Sequence, residues 1–214
     1  MDEDISIINN ETRKEKIINF FLNNKKKLIS IIAILVLTPL SFYSYQIYKA
    51  GNKEQLADKY NSAVINYENG DKSKVSKIMK EIINDKDQTY SPLALYFLID
   101  NDISLSSEEI NQLFDIVIKD VKLDKEIKNL VIYKKALFNS EFETENNLIN
   151  ILNPILKSSS IWQSHALFLL AEYFYSKNEK QKAKEFFEKI INLENGNFEI
   201  KNESQKRIQR DLSE

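Results

Sequence analysis

The chain has 214 residues, of which 29 % are charged and 43 % hydrophobic, with three glycines, three prolines and a formal net charge of −2. This composition is typical of a folded globular protein, excludes a collagen-like or disordered chain, and argues against nucleic acid as a main partner. Because the chain has no cysteine, disulfides, a thiolate nucleophile and sulfur-ligated zinc are also excluded.

The first predicted element is a hydrophobic segment that runs without a charge from Leu28 to Tyr48. As a helix with a rise of about 1.5 Å per residue, it would span about 31 Å, the thickness of the hydrocarbon core of a bilayer. Lysines precede and follow it, and tyrosines cluster at its C-terminal end, where amphipathic rings prefer the lipid interface. The segment predicts one transmembrane helix, which Pro39 can kink because proline lacks the backbone N–H donor.

More basic residues lie just before this helix than just after it, which predicts that the N-terminal side is cytoplasmic. The predicted organisation is a cytoplasmic segment (1–27), the membrane helix (28–48) in contact with lipid, and a translocated domain (49–214). The length of the leader and of the charge-free run disfavours both a cleaved signal peptide and a buried core helix. Residues 17–22 either lie on the membrane surface or extend the membrane helix.

In the remaining sequence, one apolar spacing occurs four times. Residues at i, i+3, i+4, i+7 and i+8 are apolar in sets that start at Val75, Ile110, Leu148 and Ala183. This spacing forms one stripe of an α-helix. It predicts an all-α domain of about four helix pairs (53–84, 89–120, 124–157 and 160–193) with a C-terminal capping helix near 198–212. The four sets start 35, 38 and 35 residues apart. A repeat of this length is typical of a tetratricopeptide-like α-solenoid.

Several short patterns predict where helices begin. Ser106 with Glu109 and Ser160 with Gln163 fit the reciprocal capping box, and Asp71 fits an N-cap after a turn.

Two sets of residues are predicted to support packing and binding. The residues predicted to pack between helices are Ala63, Val75, Met79, Ala136, Leu167, Leu170, Ala171, Phe174, Ala183, Phe187 and Ile190. The candidate partner contacts are aromatic residues, Trp162, Tyr173 and Tyr175, because aromatics are enriched at interfaces. Tyr173 and Tyr175 point away from the stripe that carries Phe174.

The sequence contains few residues that suggest catalysis or metal binding. His165 is the only histidine, which argues against a hydrolytic triad or a multi-histidine metal site, and it is interpreted as a structural or surface residue. The run Asp100, Asp102, Ser104 lacks the central glycine of a calcium loop and is interpreted as a solvated loop. We expect no enzymatic activity, cofactor or metal.

The layout and the stretch 152–191 resemble the YfgM-like family, ancillary subunits of the bacterial SecYEG translocon. The matching residues are Leu152, Pro154, Trp162, Ala166, Leu170, Ala171, Ala183 and Phe187. In place of the usual glycine between the last two paired helices, the chain has Lys177 and Asn178, and asparagine can also adopt a left-handed conformation.

The resemblance implies a single-pass protein of the inner membrane with a periplasmic tetratricopeptide-like domain that binds proteins. Its implied partners are the SecYEG translocon, a membrane-anchored periplasmic chaperone and exported polypeptides. An alternative function is a periplasmic scaffold that coordinates cell division or outer-membrane assembly.

Overall fold

The computed structural model describes residues 13–16, 18–103 and 105–212. Ile17 and Ser104, which belong to two of the patterns above, lie outside this part of the chain, as do residues 1–12 and 213–214. All regular structure among the described residues is helical and none of them lies in a strand, which confirms the all-α prediction. The helical residues 13–16 and 18–23 are labelled α1. The other helices are α2 (Lys25–Glu68), α3 (Lys72–Asn84), α4 (Tyr90–Asp100), α5 (Ser107–Asp120), α6 (Lys125–Asn139), α7 (Glu145–Leu156), α8 (Gln163–Ser176), α9 (Lys180–Ile191) and α10 (Phe198–Asp211).

The predicted membrane segment lies within α2, which continues without interruption to Glu68. This helix is long and apolar enough to cross a membrane, and its most apolar window is not buried against other parts of the protein. Pro39 lies inside it. Contacts divide the chain into two compact units, one ending at Gln55 and one beginning at Leu56.

The helix boundaries follow from local chemistry. Asp71 caps α3 by accepting a hydrogen bond from the backbone N–H of Lys74, and the predicted capping box of Ser106 and Glu109 is present at α5. Asn178 adopts a left-handed conformation (φ 61°) between α8 and α9, as its position in that turn requires.

One predicted helix start is wrong. Ser160 does not cap α8, because this helix begins at Gln163 and its N-cap, Trp162, makes no side-chain cap hydrogen bond. The hydroxyl of Ser160 is instead used in a contact with α6, described below.

In the unit that begins at Leu56, consecutive helices from α3 to α10 pack against each other. Helices two apart also make contact, as α3 does with α5, α6 with α8 and α8 with α10. The buried apolar side chains form two clusters. The first, which we call the α3–α5 core, extends from Ala63 to Val131, and the second, the α7–α9 core, extends from Ile132 to Leu212. Helix α6 contributes to both clusters, and Ile118 packs against both.

The predicted packing residues all lie in these cores. Ala63, Val75 and Met79 are fully buried in the α3–α5 core, and the other eight belong to the α7–α9 core. The alanines let neighbouring helices approach closely, because a methyl group occupies little space between two backbones. Leu98 of α4 is also buried in the α3–α5 core.

Candidate protein-interaction surface

A cluster of three rings lies where α6 meets the start of α8. Trp162 stacks on Tyr133 of α6 with 5.9 Å between ring centroids. His165, one turn further along, lies 5.0 Å from Trp162 and 5.8 Å from Tyr133. All three side chains are partly exposed. We call Tyr133, Trp162 and His165 the α6–α8 aromatic surface.

A buried polar network fixes this surface. The hydroxyl of Ser160 donates to Glu126 (2.6 Å) and accepts from the side-chain amide of Asn129 (3.0 Å) and from the backbone N–H of Trp162 (3.2 Å). The backbone N–H of Ile161 also donates to Glu126 (3.3 Å). Ser160 and Asn129 are buried, so these bonds compensate for the loss of water. The network holds the residues that precede α8 against α6.

Exposed aliphatic side chains occur on the segments that the network joins. Ile161 is 68 % exposed and Ile127, in the first turn of α6, is 44 % exposed. Aromatic rings and exposed aliphatic side chains on adjoining segments are typical of a surface that binds another protein.

His165 is constrained by burial. Burial lowers the pKa of His165 below the ordinary value of 6.5. The nearby backbone of Ile161 raises this pKa, but its effect is smaller than that of burial. Its Nδ1 atom is buried and has no hydrogen-bond partner among the described residues. Burial likewise raises the pKa of Tyr133. Burial therefore favours the neutral form of His165, and its ring forms part of the aromatic packing.

Tyr173 is a core residue, contrary to the expectation that it contacts a partner. It is 8 % exposed, and its hydroxyl donates to the backbone carbonyl of Glu143 before α7 (3.1 Å). Tyr175 is partly exposed, but the guanidinium of Arg207 lies 4.4 Å from its ring centroid. Both tyrosines lie in the last turn of α8, about 16 Å (Tyr173) and about 20 Å (Tyr175) along the helix axis from Trp162. The three predicted contacts therefore do not form one surface.

Sequence reasoning missed Tyr133 and Glu126, the α6 residues that support Trp162. A signal was present, since Glu126, Asn129 and Tyr133 follow one another at i, i+3 and i+7 and so share one face of α6. Nothing in that spacing, however, identifies α8 as the helix that packs against it.

Among the described residues there is no group of three or more His, Cys, Asp or Glu side chains that could hold a metal ion. Comparison of the chain with protein-family models, with curated proteins and with solved structures gives no match. The resemblance to the YfgM-like family therefore depends on the residues quoted for it and on the order of the predicted segments.

Proposed function

We propose that this chain is a membrane-anchored protein-binding module whose tetratricopeptide-like helix pairs act outside the cytoplasm, beside the Sec translocon. The observation that carries the proposal is found on one helix, α2. Its segment 28–48 is free of charge and long enough to cross a bilayer, and its C-terminal part contributes Ala63 to the α3–α5 core of the packed helices. The resemblance supplies the translocon as the partner.

The local chemistry of α2 supports the membrane anchor. Its apolar side chains are exposed to a degree that is costly in water, as for Leu35 (67 %) and Ile34 (64 %). Its hydroxyls are satisfied within the helix, because Ser30 donates to the carbonyl of Lys26 (3.0 Å) and Thr38 to that of Ile34 (2.7 Å). Polar groups inside a bilayer need such internal partners, since no water is available there.

The packing supports the tetratricopeptide-like interpretation. Each of the four predicted pairs contains at least one fully buried alanine, and these alanines are Ala63, Ala94, Ala136, Ala166, Ala171 and Ala183. Contacts between consecutive helices and between helices two apart are those expected when each pair stacks on the next. In such a stack, side chains that are not needed for packing remain free to bind partners.

A membrane anchor gives a physical reason for binding without high intrinsic affinity. Tethering a binding surface beside an exit site raises its effective concentration for emerging chains, so contacts of modest strength suffice. The α6–α8 aromatic surface is the region that we assign to such contacts.

The orientation is tested by placing a tag at the C-terminus of the full chain in bacterial inner membranes. External protease should remove the tag from cells whose outer membrane has been opened, while a cytoplasmic marker stays intact. Digestion of the tag only after the inner membrane is lysed would contradict the proposed topology.

The partner is tested by replacing Trp162 with a photocrosslinking amino acid. Crosslinks to translocon subunits or exported chains are expected, and the exposed position Glu141 in the α6–α7 loop provides the matched control. Recovery of division or outer-membrane machinery alone would favour the scaffold function instead.

A further inference from the structure

A second surface of the domain is an open groove of about 710 Å³ between the C-terminal end of α7, the start of α8 and the C-terminal half of α9. We call it the α7–α9 groove. Its apolar lining consists of Leu156, Leu167, Phe186 and Leu193. Gln163 closes one edge, where its side-chain amide donates to the carbonyl of Leu156 (3.0 Å). The volume lies within the range of about 300–1,000 Å³ that is usual for ligand-binding pockets.

Phe186 presents an aromatic ring to this groove. The ring stacks on Phe174 of the core, with 5.3 Å between centroids and an interplanar angle of 10°. The ammonium of Lys189 lies 4.5 Å from the centroid of Phe186. The ring is therefore packed against the core, and the protein already places a cation over it.

The charged residues of the lining are mostly acidic. They are Glu185, Glu188 and Glu194 against the single Lys189. None of the three carboxylates belongs to an ion pair among the described residues, whereas many other acidic side chains of the domain do. The ends of α7 and α9 add partial negative charge from their last carbonyls, while the start of α8 adds partial positive charge. The balance favours a cationic ligand.

We propose that the α7–α9 groove binds an extended polypeptide segment in which a lysine or arginine adjoins a large apolar side chain. The proposal deepens the function above and rests on it, because it assumes that the domain binds proteins. The apolar side chain would contact Leu156, Leu167 and Leu193, and the cation would pair with Glu185 or Glu188 and lie near the ring of Phe186. A polypeptide segment can reach the groove because the groove is open to the surface and is not an enclosed cavity.

Lys189 has an opposing role in this arrangement. It occupies the position over Phe186 that a ligand cation would take, and it offsets part of the acidic charge. Removing Lys189 should therefore strengthen binding, whereas removing the carboxylates should weaken it. This difference in sign separates the proposed site from a nonspecific effect of substitution.

The experiment uses the full chain in detergent micelles and isothermal titration calorimetry. The probe is a short synthetic peptide with a central Arg-Leu-Phe-Arg sequence flanked by Gly and Ser. Its matched peptides carry Glu in place of each Arg, or Ser in place of Leu and Phe. The protein variants are E185Q/E188Q and K189M, and E141Q is the control, because Glu141 is an exposed carboxylate outside the groove.

We expect E185Q/E188Q to weaken binding of the Arg peptide about fivefold, K189M to strengthen it by a similar factor, and E141Q to leave it unchanged. Added salt should weaken the binding of the Arg peptide to the unsubstituted protein. The Glu peptide and the Ser peptide should bind less well than the Arg peptide.

Equal affinities for the variants, or a concentration-dependent dimer that blocks the peptide, would overturn the proposal. If a peptide binds equally to all groove variants but does not bind to W162A, the groove is not the binding site. The proposed function would remain in place. Absence of binding by every peptide, together with absence of crosslinks from position 162, would contradict both.

Discussion

The side chain of Ser160 makes three hydrogen bonds, to Glu126, to Asn129 and to the backbone of Trp162. Because Ser160 and Asn129 are buried, neither water nor another side chain can easily replace the hydroxyl. One oxygen thus connects the first turns of α6 with the segment that precedes α8.

We predict that S160A lowers the free energy of unfolding by about 1–3 kcal/mol, because it leaves buried polar groups without partners. Urea denaturation followed by circular dichroism measures the change. S107A is the control, since Ser107 is exposed on the first residue of α5 and should stay within about 0.5 kcal/mol. An unchanged S160A variant would show that the network contributes no stability.

His165 should make the stability of the domain depend on pH. Its pKa is lower in the folded protein than the ordinary 6.5, so the folded state disfavours protonation. Its contribution is complete above about pH 6.5 and decreases as the pH falls through this value, because the unfolded chain then binds the proton more readily. Carboxylates with lowered pKa values, such as Glu109, lose their contributions only at lower pH.

Thermal unfolding at pH 7.5 and at pH 5.5 tests this prediction. The unsubstituted protein should be less stable at the lower pH, and H165Q should reduce that difference, because glutamine does not titrate. If both proteins lose the same stability between the two pH values, another group is responsible.

At the scale of the helix, the turn between α8 and α9 depends on the left-handed conformation of Asn178 (φ 61°). Asparagine tolerates this conformation, whereas a β-branched residue does not. The next backbone N–H, that of Glu179, donates to the carbonyl of Phe174 (2.9 Å) and closes the end of α8. The turn therefore sets how α9 returns along α8.

We predict that N178V destabilises the domain by about 1–2 kcal/mol, since valine would have to adopt a strained conformation. N178G is the matched control, because glycine has no such strain and should be neutral or slightly stabilising. Both are measured by chemical denaturation. Equal losses in the two variants would indicate that the asparagine side chain, and not the backbone conformation, is what matters.

The starts of helices, their apolar faces and the turns between them could be predicted where they depend only on residues that are close in the sequence. Ser106 and Glu109 are three residues apart in one turn, and their capping box needs nothing else. Ser160 matches the same pattern, but its hydroxyl instead donates a hydrogen bond to Glu126, which lies 34 residues earlier in the chain. The sequence of one helix cannot reveal such a distant partner.

The burial of Tyr173 could not be predicted for a related reason. Its position beside Phe174 directs it away from the main stripe, which implies exposure for a helix with one buried face. Yet α8 is buried on several sides, because α6, α7, α9 and α10 all contact it. Only the assembled fold shows that Tyr173 meets the backbone that precedes α7.

At the scale of the whole molecule, the domain has two apolar cores joined through α6 and Ile118. Phe114 is fully buried in the α3–α5 core and Phe187 is fully buried in the α7–α9 core. In stacked-helix proteins, stability is distributed among neighbouring units and is not shared equally by the whole chain. A substitution that removes a buried side chain from one core should therefore destabilise mainly the helices of that core.

We predict that F187A, which should cost about 3–5 kcal/mol, reduces amide protection mainly in α7 to α10, and that F114A does so mainly in α3 to α5. Hydrogen exchange followed by mass spectrometry resolves the two regions. Each variant is the control for the other. Uniform loss of protection across both regions in both variants would show that the domain unfolds as a single cooperative unit.

The stacking of Trp162 on Tyr133 has a practical consequence, because the chain has no other tryptophan. Its indole emission therefore comes from one place, the edge of the surface assigned to partners. A shift of that emission on adding an unlabelled polypeptide would report occupancy at this edge directly, without any chemical reporter attached to the protein.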